Sequence, residues 1–249
     1  MSGTPVRLFC LPYLGASAGV YRPWGRLLQP HVTVTPLELP GHGSRRGEEP
    51  SRHMEPLLRA LMPTVARLCD RPFALYGHGF GAVLAYEIAA RLEWDHELVA
   101  ERLYVSGCPA PHLPARGEPL GHLPDEEFLL RARRHPAVHP DVLGEANLAR
   151  LQLPLLRAGF TLAETYEEGL DTTVHAPLTA MAGREDPTVR GADLNGWRGY
   201  TRGSFRVRRF PGGHFHWQRD DRLLLGQFAD DLARRNAASH RFPMAERTF

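Results

Sequence analysis

Lysine is missing from this 249-residue chain, and all 30 basic residues are arginine. Set against 28 acidic residues they leave a net charge of +2. That is too close to neutral to build the broad positive field of a nucleic-acid binder. The exclusive use of arginine reads as coding bias, although a guanidinium still pairs with phosphate where one is offered. Cysteine is scarce as well. Cys10, Cys69 and Cys108 are scattered, odd in number and without metal-ligand spacing, which suits reduced thiols in a cytoplasmic protein and no metal site. No apolar run approaches the roughly 18 residues of a membrane span. The opening MSGTPVRLFC lacks the charged and apolar regions of a secretory signal, so neither a membrane nor export is expected. Internal repeats and long low-complexity tracts are also lacking. The ordinary 43% hydrophobic content and the length together suit one α/β domain with a sizeable core.

The most informative stretch is FALYGHGFGAVLAYEIAARL, residues 73–92. Phe73-Ala74-Leu75-Tyr76 is a short apolar run that predicts a buried strand. Residues 82–90 are good helix formers without internal Gly or Pro. Between them, Gly77-His78-Gly79-Phe80-Gly81 lets the chain turn sharply and lets strand and helix approach closely. This is the layout of a nucleophile elbow, G-x-S-x-G between strand and helix. Gly79 stands where that motif carries serine, so the nucleophile position is read as vacant. A plain tight βα turn is the alternative for this segment alone.

Around the elbow, strands alternate with helices. Residues 6–10 read as a first strand leading into Leu11-Pro12-Tyr13-Leu14-Gly15-Ala16, a loop placed to supply an oxyanion N–H or else a simple turn. Residues 21–28 suggest a helix with Trp24, Leu27 and Leu28 inward, and 32–39 a strand. Residues 54–69 carry apolar residues at helical spacing, with Pro63 expected to kink or divide the helix. Residues 103–105 form a strand ending in Ser106-Gly107-Cys108-Pro109. Residues 125–134 and 147–168 read as helices, the second interrupted at Pro154. They fall within an insertion, 109–170, that would lie over the strand ends as a helical lid of the single domain 1–249. Residues 177–182 and 205–210 complete the sheet. A closing helix at 221–234 should pack Leu223, Leu224, Phe228 and Leu232, and the tail from Asn236 onward is expected to be poorly ordered. This order argues for a mostly parallel central sheet flanked by helices.

Two residues fit the chemistry of the elbow. Asp186 follows a predicted strand in Gly183-Arg184-Glu185-Asp186-Pro187, and His214 follows the last strand in Pro211-Gly212-Gly213-His214. Both belong at carboxyl ends of strands, where open α/β sheets bind ligands. An acid and an imidazole in that order suit general-base work, the acid fixing the imidazole tautomer. Singly, Asp186 is a turn former and His214 a structural histidine. Cys108 is a possible alternative nucleophile, a small buried turn residue being the plainer reading. His78, His216, His42 and Ser44 read as packing, capping or loop residues.

LFCLPYLGASA at 8–18, LELPGHGSRR at 37–46, FALYGHGFGAVLAYEIA at 73–89, LYVSGCPAP at 103–111, AMAGREDP at 180–187 and RRFPGGHFHW at 208–217 together resemble a type II thioesterase of polyketide or nonribosomal peptide assembly lines. The resemblance spans nearly the whole domain. It implies an α/β-hydrolase fold with an inserted helical lid, and hydrolysis of acyl groups from the phosphopantetheine arm of an acyl or peptidyl carrier protein. No cofactor of the chain's own is implied. Carried over by position, Asp186 and His214 are acid and base, and the N–H groups of Leu14 and Phe80 form the oxyanion hole.

The chain departs from that family in three places. Gly79 replaces the family serine, Tyr13-Leu14-Gly15-Ala16 is bulkier than the usual His-Ala-Gly-Gly, and Gly159 stands where the family's lid carries Asp. The first departure leaves four readings open: an introduced inactivation, hydrolysis by water without an acyl-enzyme, base catalysis of a cyclisation, elimination or aldol-type step on a polyketide, and an inactive carrier-protein binder. Arg45, Arg46, Arg131, Arg133 and Arg134 could meet the acidic face or phosphate of a carrier, or could simply be a solvated surface.

Overall fold

The computed structural model describes residues 4–114, 117–144, 146–167, 173–218 and 221–233. Six strands form one sheet in which every neighbouring pair is parallel. They are β1 (Val6–Leu11), β2 (Val32–Pro36), β3 (Phe73–His78), β4 (Arg102–Ser106), β5 (Leu178–Gly183) and β6 (Phe205–Phe210), in the spatial order β2-β1-β3-β4-β5-β6. The helices are α1 (Trp24–Leu27), α2 (Met54–Leu68), α3 (Phe80–His96), α4 (Asp125–Arg134), α5 (Ala146–Glu164), α6 (Gly191–Asn195) and α7 (Asp221–Ala233). This is the expected α/β-hydrolase architecture, with α4 and α5 inserted between β4 and β5. No described helix is long and apolar enough to cross a membrane.

The central strands read as continuous apolar runs because both of their faces are covered. Phe9, Leu11, Phe73, Leu75, Leu103 and Val105 point into one core with the buried sides of α2 and α3. The alternate residues Leu8, Cys10, Ala74, Tyr76 and Tyr104 point into a second core closed by Trp24, Leu224, Leu225 and Phe228. Each fully buried large side chain contributes about 1.5–3 kcal/mol of transfer free energy. The edges are managed differently: β2 ends at Pro36, and β6 sets exposed Arg206, Arg208 and Arg209 along its length.

Several local expectations change. Pro63 lies inside an unbroken α2, and Pro154 inside an unbroken α5. Pro63 is exposed, so the carbonyl freed by its missing N–H lies on the solvent face, where water can satisfy it. Residues 18–21 form a 3₁₀ turn ahead of a four-residue α1, and Leu27 is exposed while Trp24 and Leu28 are buried. In α7, Leu223 faces solvent and Leu225 takes its place in the core. The reading of the tail from Asn236 lies outside the described residues.

Candidate active site

The elbow is built as its glycines require. A Cβ on Gly77 would come within 1.8 Å of the Gly81 carbonyl oxygen, and one on Gly81 within 2.6 Å of the Pro12 carbonyl oxygen. Only glycine lets β3, α3 and the end of β1 converge this closely. Gly79 caps α3 with φ 56 and ψ −130, a conformation that costs any residue with a Cβ. A side chain starting at Gly79 would find His214 Nε2 and Tyr13 Cβ as its nearest neighbours, each at 3.8 Å. Phe80 opens α3, whose first N–H groups have no acceptor within the helix.

Asp186 and His214 come together from the turns after β5 and β6. His214 Nδ1 donates to Asp186 Oδ2 at 2.9 Å, and both side chains are almost wholly buried. Thr188 completes the clamp. Its N–H and hydroxyl donate to Asp186 Oδ1 at 2.8 and 2.7 Å, and its oxygen lies 3.0 Å from His214 Nδ1. Burial opposes ionisation of Asp186, but the hydrogen bonds and charge of His214, with those from Thr188, outweigh it and hold the carboxyl below its ordinary range. Because Nδ1 carries the proton toward Asp186, Nε2 presents a lone pair, and no described residue bonds it.

The expectation of a site without a serine is corrected here. Ser106 ends β4 in register with His78 at the end of β3, and its backbone carbonyl accepts the Gly79 N–H at 2.8 Å. Its hydroxyl lies 3.1 Å from His78 Nδ1 and 3.1 Å from His216 Nε2. The His78 ring in turn packs on His214, with centroids 4.4 Å apart. Serine, histidines and Asp186 thus form a Ser–His–Asp-like set, in which hydrogen bonds join Ser106 to His78 and His216 and a ring contact joins His78 to the His214–Asp186 pair. The view that the family serine is simply replaced by Gly79 falls, and the four serine-less readings built on it fall too: an introduced inactivation, hydrolysis by water without an acyl-enzyme, serine-independent base catalysis and an inactive binder.

His78 and His216 are therefore more than packing groups. Burial, reinforced by the neighbouring imidazoles, pushes His78 well below the usual histidine range. Burial brings His216 down to about 4, despite the opposing pull of Asp186. Both are neutral at pH 7, so one can donate a ring N–H to the Ser106 oxygen while the other accepts the hydroxyl proton. Gly107 makes room for this arrangement, since a Cβ there would lie 2.3 Å from the His78 ring. Tyr13 covers the cluster, its ring against Phe215, His139, His78 and Trp217.

The remaining expected residues are placed as follows. Leu14 sits in the loop after β1, beside Tyr13 and against the inserted helices. Cys108 lies two residues past Ser106, half-buried, with desolvation pushing its thiol up to about 12, which keeps it a neutral thiol at physiological pH. His42 is buried and donates from Nδ1 to the Pro40 carbonyl. Ser106 was visible in the sequence as a strand-final Ser-Gly. What could not be read was the register that sets it beside His78.

The model of the thioesterase domain matches residues 6–234. The chain belongs to the thioesterase family. Among individual relatives, Linear gramicidin dehydrogenase LgrE of Brevibacillus parabrevis is 35% identical over 223 residues, covering 88% of this chain and 85% of that protein. Thioesterase PikA5 of Streptomyces venezuelae is 35% identical over 228 residues, covering 91% and 81%. The solved structure of the type II thioesterase BorB from the borrelidin biosynthetic cluster superposes with a TM-score of 0.84 at 34% identity, covering 92% of this chain and 93% of that one. These names differ in the activity they carry, so membership rests on the family match across the domain. The thioesterase family is one of hydrolases, and the Ser–His–Asp-like set is the chemistry such an enzyme uses.

Proposed function

We propose that this thioesterase hydrolyses acyl or polyketide thioesters carried on the phosphopantetheine arm of an acyl or peptidyl carrier protein, in editing or product release. The observation that carries the reading is the buried cluster in which Ser106, flanked by His78 and His216, adjoins the Asp186–His214 pair inside a thioesterase frame. The names of PikA5 and BorB support the reaction class and its biosynthetic setting. Three free cysteines among the described residues support a reducing, cytoplasmic location.

In this reading Ser106 Oγ attacks the thioester carbonyl and passes its proton to the imidazole cluster. The Leu14 and Phe80 N–H groups hold the oxyanion, and the carbon–sulfur bond then breaks as the leaving sulfur takes that proton. Water next attacks the serine ester, and the acid departs with Ser106 restored. Asp186 keeps His214 in the Nδ1–H tautomer and stabilises its charged form as the proton moves. The inserted segment, 109–170, acts as a lid over the cluster.

Reaction with a fluorophosphonate followed by peptide mapping tests the assignment. The adduct is expected on Ser106, and Ser106→Ala is expected to lower kcat at least about 10³-fold. No adduct on the peptide containing Ser106, together with wild-type turnover by Ser106→Ala, would sink it.

A further inference from the structure

The loop after β1 and the inserted helices are interlocked at a point the cluster does not explain. A Cβ on Gly159, within α5, would lie 2.9 Å from Leu14 Cδ2, so the tip of Leu14 seats against the bare backbone of Gly159 and would have to shift if a side chain stood there. Around that notch the inserted helices have their own apolar cluster, with Leu120, Phe128, Leu156 and Phe160, and Leu14 is the residue of the β1 loop that enters it. Gly15 fits as closely: a Cβ there would meet Val142 Cγ1 at 2.7 Å and Leu156 Cδ2 at 3.0 Å. Tyr13, on the other side of Leu14, borders the Gly79 turn, which His214 also faces. The space beside Tyr13 is a cavity of about 240 Å³, with Ser17, His42, His139, Gln152 and Leu155 in its wall. Gln152 Oε1 is buried there with no partner among the described residues.

We propose that Leu14, seated on Gly159, sets the acyl length this thioesterase accepts and latches the lid, leaving a short chain only the small cavity beside Tyr13. The size assignment rests on the thioesterase reading; the latch does not. An acyl chain extending past Tyr13 toward the inserted helices meets the Leu14 side chain. Turned the other way, it enters a space of only about 240 Å³, where it would also leave the buried Gln152 Oε1 unsatisfied. Gly159, poor in a helix interior, is thereby explained as space for Leu14.

Acetyl- and hexanoyl-pantetheine, assayed with wild type, Leu14→Ala and Gly159→Ala, test the size assignment. Leu14→Ala should raise the hexanoyl-to-acetyl ratio of kcat/KM about tenfold or more, as expected when methylenes find room in a pocket. Gly159→Ala should lower that ratio by pushing the Leu14 tip back toward the site. An unchanged ratio in both variants overturns the assignment. Hydrogen exchange of residues 152–164 tests the latch without any turnover: faster exchange in Leu14→Ala supports it, and unchanged protection rejects it. Should Leu14→Ala fail to fold, Leu14→Val, which shortens the same side chain, decides both arms with the same directions expected. If wild type hydrolyses neither thioester, the thioesterase reading and the length assignment fail together, while the exchange result still settles the latch.

Discussion

At the scale of single residues, the site depends on which groups stay neutral and which stay charged. His216 is neutral in the folded protein down to about pH 4, whereas in the unfolded chain it takes up a proton near its ordinary value. Between those two values the unfolded state binds more protons, so stability falls as pH drops from about 6.5 to 4, by about 3 kcal/mol from His216 alone. His78, also depressed by burial, adds in the same direction. Asp186 has the depressed carboxyl of a paired acid, and its contribution is present above the unfolded carboxyl pKa and lost as pH falls through the folded one. Urea unfolding at a series of pH values checks the His216 part: His216→Asn should flatten the slope between pH 6.5 and 4, and an unaltered slope would rule that histidine out as the cause. The pair itself makes a second prediction. Asp186→Asn leaves the shape of the clamp but removes the charge that selects the Nδ1–H tautomer of His214, and kcat should fall by about 10³–10⁴-fold. Steady-state assay of a folded Asp186→Asn enzyme measures it, and turnover within a few-fold of wild type would contradict the role.

At the scale of elements, the β3–α3 junction sets the geometry of everything around it. Because a Cβ on Gly77 would overlap the backbone of Gly81, no rotamer change relieves the clash, and strand and helix must part. Gly77→Ala should therefore cost about 3 kcal/mol or more, read as a shifted urea midpoint. This junction was legible in the sequence because its signal is local: apolar run, glycine cluster, helix. The Asp186 and His214 turns were legible for the same reason, each being a glycine-rich break after a strand. The Ser106–His78–His216 network was not. Its members lie on three separate segments, and only the β3–β4 register, with the turn after β6 folding back, brings them within hydrogen-bonding distance. Proline misled the reading of α2 and α5. Local propensity predicts a break there, but the buried stripe of Leu57, Leu58, Leu61 and Val65 holds α2 through Pro63.

At the scale of the molecule, the near-zero net charge directs attention to how the arginines are distributed. Of those considered for carrier recognition, Arg45 is engaged by Glu48, and Arg131 by Glu118 and Glu127, so part of their charge is answered within the chain. Arg46, Arg133 and Arg134 are exposed, and the last two close the C-terminal turn of α4, where a cation is favoured by the helix ends and remains available to a partner. An acidic carrier bearing a phosphopantetheine phosphate would be drawn to charges such as these, which have no ion pair among the described residues, more than to those already paired. Reversing Arg133 and Arg134 together to Glu should weaken carrier binding about tenfold at low ionic strength, while Arg131→Glu confounds the result by breaking its own pairs. Titration of a carrier domain at low and high salt reads the difference. The gap between wild type and the double reversal should close as salt rises, because screening removes a surface attraction and leaves untouched any contact made by the acyl arm inside the site. A gap that persists at high salt would mean the substitutions disturbed the inserted helices rather than the encounter. No gap at any salt would move the docking surface away from α4.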